Sequence, residues 1–247
     1  MRICTWNIQL GRRLDRVLDA IRSQPDFATL DLMALQEASV HDARNDAEAV
    51  AAALGPGYQS FQATAQVRGG RSQANALIWR RGLFEPGRTP EVVPLPGRGE
   101  VQVRRAERTI LRAAPPQDRM ALCVESEALR VYVLHLDVVG FTHKLEQFTT
   151  VVTHMAERAP VPLEIVAGDL NTFGPVRVQA WRRLAAAARS AGLVNVTAGI
   201  RRTHWTGQKL DAIYARSSAP VSCRAWTLKV TASDHLPVFA EINPGSK

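Results

Sequence analysis

Apolar residues in this chain follow two rhythms: short unbroken runs that end in polar residues, and longer stretches with helical spacing. Arg2 to Gln9 reads as a first strand with a polar end, Thr5-Trp6-Asn7-Ile8-Gln9, and Gly11 breaks it. Apolar residues at 14, 17, 18 and 21 share one helical face, which predicts a helix from Leu14 to Ile21 that Pro25 ends. Leu30 to Leu35 is a second buried strand, finishing in Gln36-Glu37. Asp42 to Leu54 reads as an Ala-rich helix stopped by Gly55-Pro56-Gly57. Tyr58 to Ala65 and Asn75 to Trp79 are strands on either side of a turn at Gly69-Gly70-Arg71-Ser72.

The stretch from Gly82 to Gly99 is rich in Pro, Gly and Arg, which predicts an irregular surface loop within one domain. Val101 to Ala114, Met120 to Glu125 and Leu129 to Asp137 are strand candidates, the first two joined by a turn at Pro115-Pro116-Gln117-Asp118. Lys144 to Glu157 has helical periodicity, Leu163 to Asp169 is a strand, and Val176 to Ala191 is a helix with Gly192 just past its end. Lys209 to Ala215, Arg224 to Val230 and Leu236 to Ile242 complete the strands. Strands outnumber helices and several form hairpin-like pairs, so the pattern is α/β without strict alternation.

The chain has 247 residues, enough for one large domain spanning 1–247 with a full core. No apolar run reaches the ~18 residues of a membrane span, and no signal-peptide pattern precedes the first strand. A cytoplasmic monomer is the expectation. Cys4, Cys123 and Cys223 show neither zinc spacing nor a disulfide framework and read as reduced thiols. The net charge of +8 favours a polyanionic partner such as nucleic acid or an acidic lipid surface. Arg supplies 27 of the 31 basic residues, so codon composition is the competing reading.

The polar residues at the strand ends change the picture. Asn7, Glu37, His135, Asp137, Asp169, Asn171, Asp211 and Asp234-His235 all sit within or at the ends of apolar runs. Charged groups are rarely buried without partners, so this many imply one shared pocket. Carboxylates meeting there repel one another unless a cation intervenes, and an oxygen-rich set without Cys favours Mg2+ or Mn2+ over zinc. In Gly168-Asp169-Leu170-Asn171 a strand running through Asn171 would place its amide beside the Asp169 carboxylate; an Asx turn is the alternative. His135 alone could be a satisfied core histidine, and Asp137 a supporting residue. His41, His143, His154 and His204 sit in polar or helical surroundings and read as surface residues.

Seven segments, in order, resemble the motifs of the endonuclease/exonuclease/phosphatase superfamily: Thr5-Trp6-Asn7-Ile8, Leu35-Gln36-Glu37, Asn75-Ala76-Leu77, His135-Leu136, Gly168-Asp169-Leu170-Asn171-Thr172, Leu210-Asp211-Ala212-Ile213 and Ser233-Asp234-His235-Leu236-Pro237. The resemblance implies a DNase I-like, four-layer α/β sandwich, with two mixed β-sheets face to face, helices outside and the site at one end of the sheets. It also implies Mg2+-dependent phosphoester hydrolysis, with Mn2+ as a possible substitute. Carried over, Glu37 is the principal metal ligand with Asn7 beside it, and Asp234 lies near the metal or a second metal position. Asp169 orients or activates the attacking water, Asn171 holds the scissile phosphate, Asp211 orients His235, and His135 contacts the phosphate or helps the leaving group. Asn75 and Trp205 are expected to bind substrate, Trp205 by stacking on a base or meeting a lipid interface, with simple packing as its alternative. Two departures are visible: Gln9 stands where some nuclease members carry an acid, and Asp137 to Lys144 is short.

The expected function is therefore a metal-dependent phosphodiesterase or nuclease acting on nucleic acid. A phosphatase or phospholipid phosphodiesterase is the alternative within the fold, and a catalytically silent binding module is the alternative of another class.

Overall fold

Alternating apolar residues build two six-stranded mixed sheets. The computed structural model describes residues 1–98, 100, 116–173 and 177–244. The chain first forms β1 (Arg2–Asn7), α1 (Leu14–Ser23), α2 (Pro25–Ala28), β2 (Leu32–Ala38), a small ribbon of β3 (Val40–His41) and β4 (Arg44–Asn45), α3 (Asp46–Leu54), β5 (Tyr58–Arg68) and β6 (Arg71–Arg80). β7 (Glu91–Leu95), β8 (Arg119–Glu125), β9 (Leu129–His135), α4 (Thr142–Ala156) and β10 (Leu163–Asp169) follow. The chain closes with α5 (Arg177–Ser190), β11 (Val194–Asn195), β12 (Asp211–Ser217), β13 (Val221–Thr227) and β14 (Val238–Pro244). One sheet has the order β13-β14-β1-β2-β6-β5 and the other β11-β12-β10-β9-β8-β7.

Three apolar clusters stack these elements into four layers. Ile3, Leu32, Leu77, Val131, Ile165, Ile213 and Val238 meet between the sheets. Their neighbours one residue along face outward. Cys4, Trp6, Met33 and Leu35 pack on α1 to α3, and Tyr132, Leu134 and Val166 pack on α4 and α5. This period of two is what a strand buried on both faces dictates. Each fully buried aliphatic side chain contributes about 1.5–3 kcal/mol. The fold is the DNase I-like sandwich that the motifs imply.

Several boundaries differ from the sequence reading. The helix expected from Asp42 starts at Asp46, because the Asn45 side chain caps it, accepting from the amides of Ala47 (2.9 Å) and Glu48 (3.2 Å). Residues 40–45 fold into the β3–β4 ribbon instead. Arg71 and Ser72 belong to β6, since Gly69 and Gly70, both at positive φ, close the β5–β6 hairpin in two residues. The loop expected over 82–99 contains edge strand β7, where Pro94 is tolerated. The strand expected at Val101–Ala114, and its hairpin, lie outside the described residues.

Candidate active site

The alternation that fills the core also carries polar residues into it at one end. Asn7 pairs with Gln36, and Gln36 with Asn75, across β1, β2 and β6. On the facing sheet His135, Asp169 and Asp211 are in register across β9, β10 and β12. The two rows continue the inter-sheet faces of their strands and confront each other at the carboxyl ends of β1, β2, β9 and β10. Asn7 joins them, its Nδ2 donating to Asp169 Oδ2 at 3.0 Å. Asn75 makes a second join, donating to the Met120 carbonyl at 2.7 Å. Asn75 is buried, as Asn7 and Asp169 are.

Glu37 reaches the site by breaking the alternation. A β-bulge lies between Gln36 and Ala38, and Glu37 has a φ of 51°. An unbroken strand would aim it at the helices with Met33 and Leu35. The bulge turns it to the mouth, where Oε1 accepts from Gln73 Nε2 (3.3 Å) and lies 3.9 Å from His135 Nε2. Bulges next to active sites commonly re-aim a side chain in this way.

Asp169 is the hub. Its Oδ1 accepts from the Asn171 amide at 2.8 Å, and its Oδ2 lies 3.5 Å from His135 Nε2 and 3.7 Å from His235 Nε2. The strand ends at Asp169, and Asn171 turns left-handed with a φ of 49°. The Asx turn therefore holds, and Asn171 instead donates through Nδ2 to the Leu136 carbonyl at 2.9 Å. Burial pushes the Asp169 carboxyl up to about 6, against the pull of His235.

The two histidines are tuned in opposite directions. Arg119 Nη1 lies 2.9 Å from His135 Nδ1. A guanidinium can only donate, so Nδ1 accepts and Nε2 carries the proton. Burial, then Arg119 and His235, hold His135 well below the usual imidazole range. Its Nε2 is buried without a hydrogen-bond partner among the described residues. His235 donates from Nδ1 to Asp211 Oδ2 at 2.9 Å. Burial alone would lower its pKa, but Asp211 and Asp169 outweigh burial and raise it to about 10.

Asp234 has partners of its own. It accepts from Gln9 Nε2 (2.9 Å) and Ser233 Oγ (3.1 Å), and His204 Nε2 is 3.8 Å away. His204 and His235 form an isolated β-bridge and an edge-to-face pair with centroids 4.7 Å apart. Two of the histidines expected on the surface are thus misplaced by the sequence reading. His204 borders the site, and His143 is fully buried against Asp137. Asp137 itself takes a two-point ion pair from Arg98, a supporting role. His41 is exposed and pairs with Asp42. His154 is partly buried against Tyr132 and Glu91. Arg119, Gln73 and His204 carried no local signal, since each matters only through a partner distant in sequence.

Beside Gln9, Ser233 and Asp234 opens a cleft of about 900 Å³, lined also by Arg13, Arg201, Arg202 and Lys229. Trp205 lines it with 67% of its surface exposed.

Solved structures share this architecture. The human nocturnin catalytic domain with bound sulfate anion is 18% identical, covers 99% of this chain and 94% of its own, and has a TM-score of 0.69. An endonuclease/exonuclease/phosphatase from Bacteroides vulgatus is 17% identical over 99% of this chain and 98% of its own, with a TM-score of 0.69. D. rerio TDP2, complexed with a single strand DNA product, is 18% identical over 98% of each chain, with a TM-score of 0.64. No curated protein matches the sequence. The Endonuclease/Exonuclease/phosphatase family model matches residues 4–235, and the chain belongs to this family of phosphoric ester hydrolases.

Proposed function

We propose that the protein is a Mg2+-dependent phosphodiesterase that cleaves nucleic acid. The observation that carries this reading is the meeting of Asn7 and Glu37 from one sheet with His135, Asp169 and His235 beside a cation-lined cleft. The oxygen donors suit a hard cation. Glu37 keeps a half-buried carboxylate at the mouth, with the Asn7 amide one strand away and Asp234 at a second position. The bound ion would supply Lewis acidity and charge neutralisation at the phosphate. Gln9 donates to Asp234 where an acid would have added charge, which favours a single ion at Glu37.

The side chains divide the remaining work. Asp169, held by Asn7 and the Asn171 amide, faces the site with Oδ2 and accepts the proton of the attacking water. The water oxygen bonds to phosphorus as the P–O ester bond breaks, and the leaving oxygen takes a proton from solvent. His135 and His235 both direct Nε2–H toward Asp169, and they donate to the phosphate oxygens where negative charge develops. Asp211 holds His235 in that orientation. Asn171 positions the turn that carries Asp169, and Trp205 offers a face for an unpaired base. Asn75 acts by fixing one sheet against the other.

A second reading is hydrolysis of a phospholipid headgroup, favoured by the apolar part of the same cleft, Ile200, Trp226, Val230 and Leu236. Hydrolysis of plasmid, single-stranded and abasic DNA, RNA, a lipid phosphodiester, inositol phosphates and bis-p-nitrophenyl phosphate with Mg2+, Mn2+ or EDTA decides between them. Cation-dependent cleavage of nucleic acid, lost in Glu37→Ala, is the expected result. Turnover of the lipid alone overturns the choice of substrate. No cation-dependent turnover by a folded protein overturns the enzymatic reading.

A further inference from the structure

His204 and His235 lie side by side because the backbone joins them. Leu236 donates its amide to the Thr203 carbonyl at 2.7 Å, and Trp205 donates to the Asp234 carbonyl at 2.9 Å. These two bonds flank the bridge between His204 and His235, which makes it the non-hydrogen-bonded kind of antiparallel pair. In that kind of pair the facing side chains come closest, and the two ring centroids are 4.7 Å apart. Asp234, next in sequence to His235, completes a set of three. One donor atom of each of His204, Asp234 and His235 lies within 4.8 Å of a donor atom of the other two. Tetrahedral ligands on an ion at about 2.1 Å are about 3.4 Å apart, so a small rotation of the partly exposed His204 draws the set to bonding distance.

Each member of the set is held from behind. Nδ1 of His235 is committed to Asp211 Oδ2 at 2.9 Å, and Nδ1 of His204 lies 2.8 Å from Thr206 Oγ1. Both rings therefore keep Nε2 for a ligand, and Nε2 of His204 is 3.8 Å from Asp234 Oδ2. The Asp234 carboxylate is steadied by Gln9 Nε2 at 2.9 Å and Ser233 Oγ at 3.1 Å. Histidines that ligate a metal characteristically donate their other nitrogen to an oxygen acceptor, which fixes the tautomer and the ring.

The donor set selects the ion. Two imidazole nitrogens and one carboxylate suit a borderline transition ion such as Zn2+, whereas Mg2+ takes oxygen. Neither Glu37 nor Asn7 belongs to the set, and among the described residues His204 enters no other group of this kind. Asp211 and Asp169 oxygens lie 2.9 Å and 3.7 Å from His235, so the position favours added positive charge. The cleft of about 900 Å³ that Asp234 lines gives an ion its way in and leaves room for a water as fourth ligand.

We propose that His204, Asp234 and His235 form a binding site for a zinc-class divalent ion, and that an ion held there shuts off hydrolysis by occupying His235 Nε2. The proton on Nε2 leaves to solvent as that nitrogen ligates, so His235 can no longer donate to a phosphate oxygen. The inhibition rests on the phosphodiesterase reading; the site itself does not.

The test uses the full chain with Mg2+ in excess throughout, so that the oxygen ligands around Glu37 are already taken. Zn2+ binding is measured by equilibrium dialysis, with Co2+ as a visible-absorption probe of the same site. His204→Phe keeps a ring against His235 and removes one ligand. Thr206→Val keeps all three ligands and removes the partner of His204. Cys223→Ser removes the exposed thiol, an independent zinc ligand. The expected result is a single tightly held Zn2+ per chain and Co2+ absorption typical of four- or five-coordination. Affinity should fall by at least ~10-fold in His204→Phe and by ~10-fold in Thr206→Val, since supporting partners are worth ~10–100-fold. It should hold in Cys223→Ser. Zn2+ should inhibit Mg2+-dependent hydrolysis of bis-p-nitrophenyl phosphate, and the inhibitory concentration should rise in step with the lost affinity, each variant being compared with its own uninhibited rate. Displacement of Zn2+ by Mg2+, unchanged affinity in His204→Phe, or loss of binding in Cys223→Ser overturns the site. Zn2+ bound without inhibition, or with stimulation, overturns its consequence. Because binding is read without turnover, a protein that holds Zn2+ but hydrolyses nothing defeats the catalytic reading and leaves the site standing.

Discussion

His235 Nδ1 lies 2.9 Å from Asp211 Oδ2, and both groups are buried. The other Asp211 oxygen has no hydrogen-bond partner among the described residues, so the carboxylate is committed to this one imidazole. The two residues come from β12 and the loop before β14 and form one buried pair. Asp211→Asn should lower kcat by about 10²–10⁴. His235→Ala should cost the same, and the double variant should cost no more than either alone. Additive losses measured on the preferred substrate would separate the two residues.

Gly168 sets how closely β9 and β10 approach beneath His135 and Asp169. A Cβ there would lie 1.9 Å from the Leu134 carbonyl oxygen, inside the backbone of the neighbouring strand. Gly168→Ala should therefore destabilise the protein by about 1–3 kcal/mol through overpacking. It should also reduce turnover more than stability alone explains, because His135 and Asp169 follow directly on those strands. Urea denaturation beside kcat on a small diester checks both parts.

Much of this arrangement was legible from residue order. The period of two put Asn7, His135, Asp169 and Asp211 on interior faces, and their polarity marked the end where the site lies. Glu37 was legible as a polar strand end and as part of a motif, but its direction was not, since strict alternation sends it to the helix side and the bulge brings it back. His204 read as surface because its partners, Asp234 and His235, arrive from thirty residues downstream through a β-bridge. His143 misled in the same way, because helical spacing does not show that Asp137 waits opposite it. The β7 strand was hidden by Pro94, which an edge strand permits and a central strand does not.

Asp169 receives two hydrogen bonds that an amide could reproduce only in part. Asp169→Asn turns one acceptor into a donor and faces an NH2 toward either Asn7 Nδ2 or the Asn171 amide. Turnover should fall by about 10²–10⁴ if Asp169 accepts the water proton. Near-normal turnover in the variant would remove Asp169 from that role and leave it a scaffold for the Asn171 turn.

Asp46 offers a test of folding energetics away from the chemistry. Its Oδ2 accepts from the Ser39 amide at 2.8 Å, and the side chain is buried at the start of α3. Burial pushes its carboxyl up to about 6, against the hydrogen bond from Ser39 and the nearby Arg44 and Arg71. A raised carboxyl pKa means that the folded state binds the proton more tightly than the unfolded chain. Relative to acid conditions, stability is then lost as pH rises from about 4 through about 6, by about 3 kcal/mol for a shift of this size. Asp46→Asn keeps an acceptor for Ser39 and never ionises. It should gain stability over the native protein at pH 8 and lose that advantage at pH 4, where both carry an uncharged side chain. Urea midpoints at the two pH values measure the difference. An equal offset at both would mean that the charge of Asp46 is compensated by its arginines, and that burial is not what governs it.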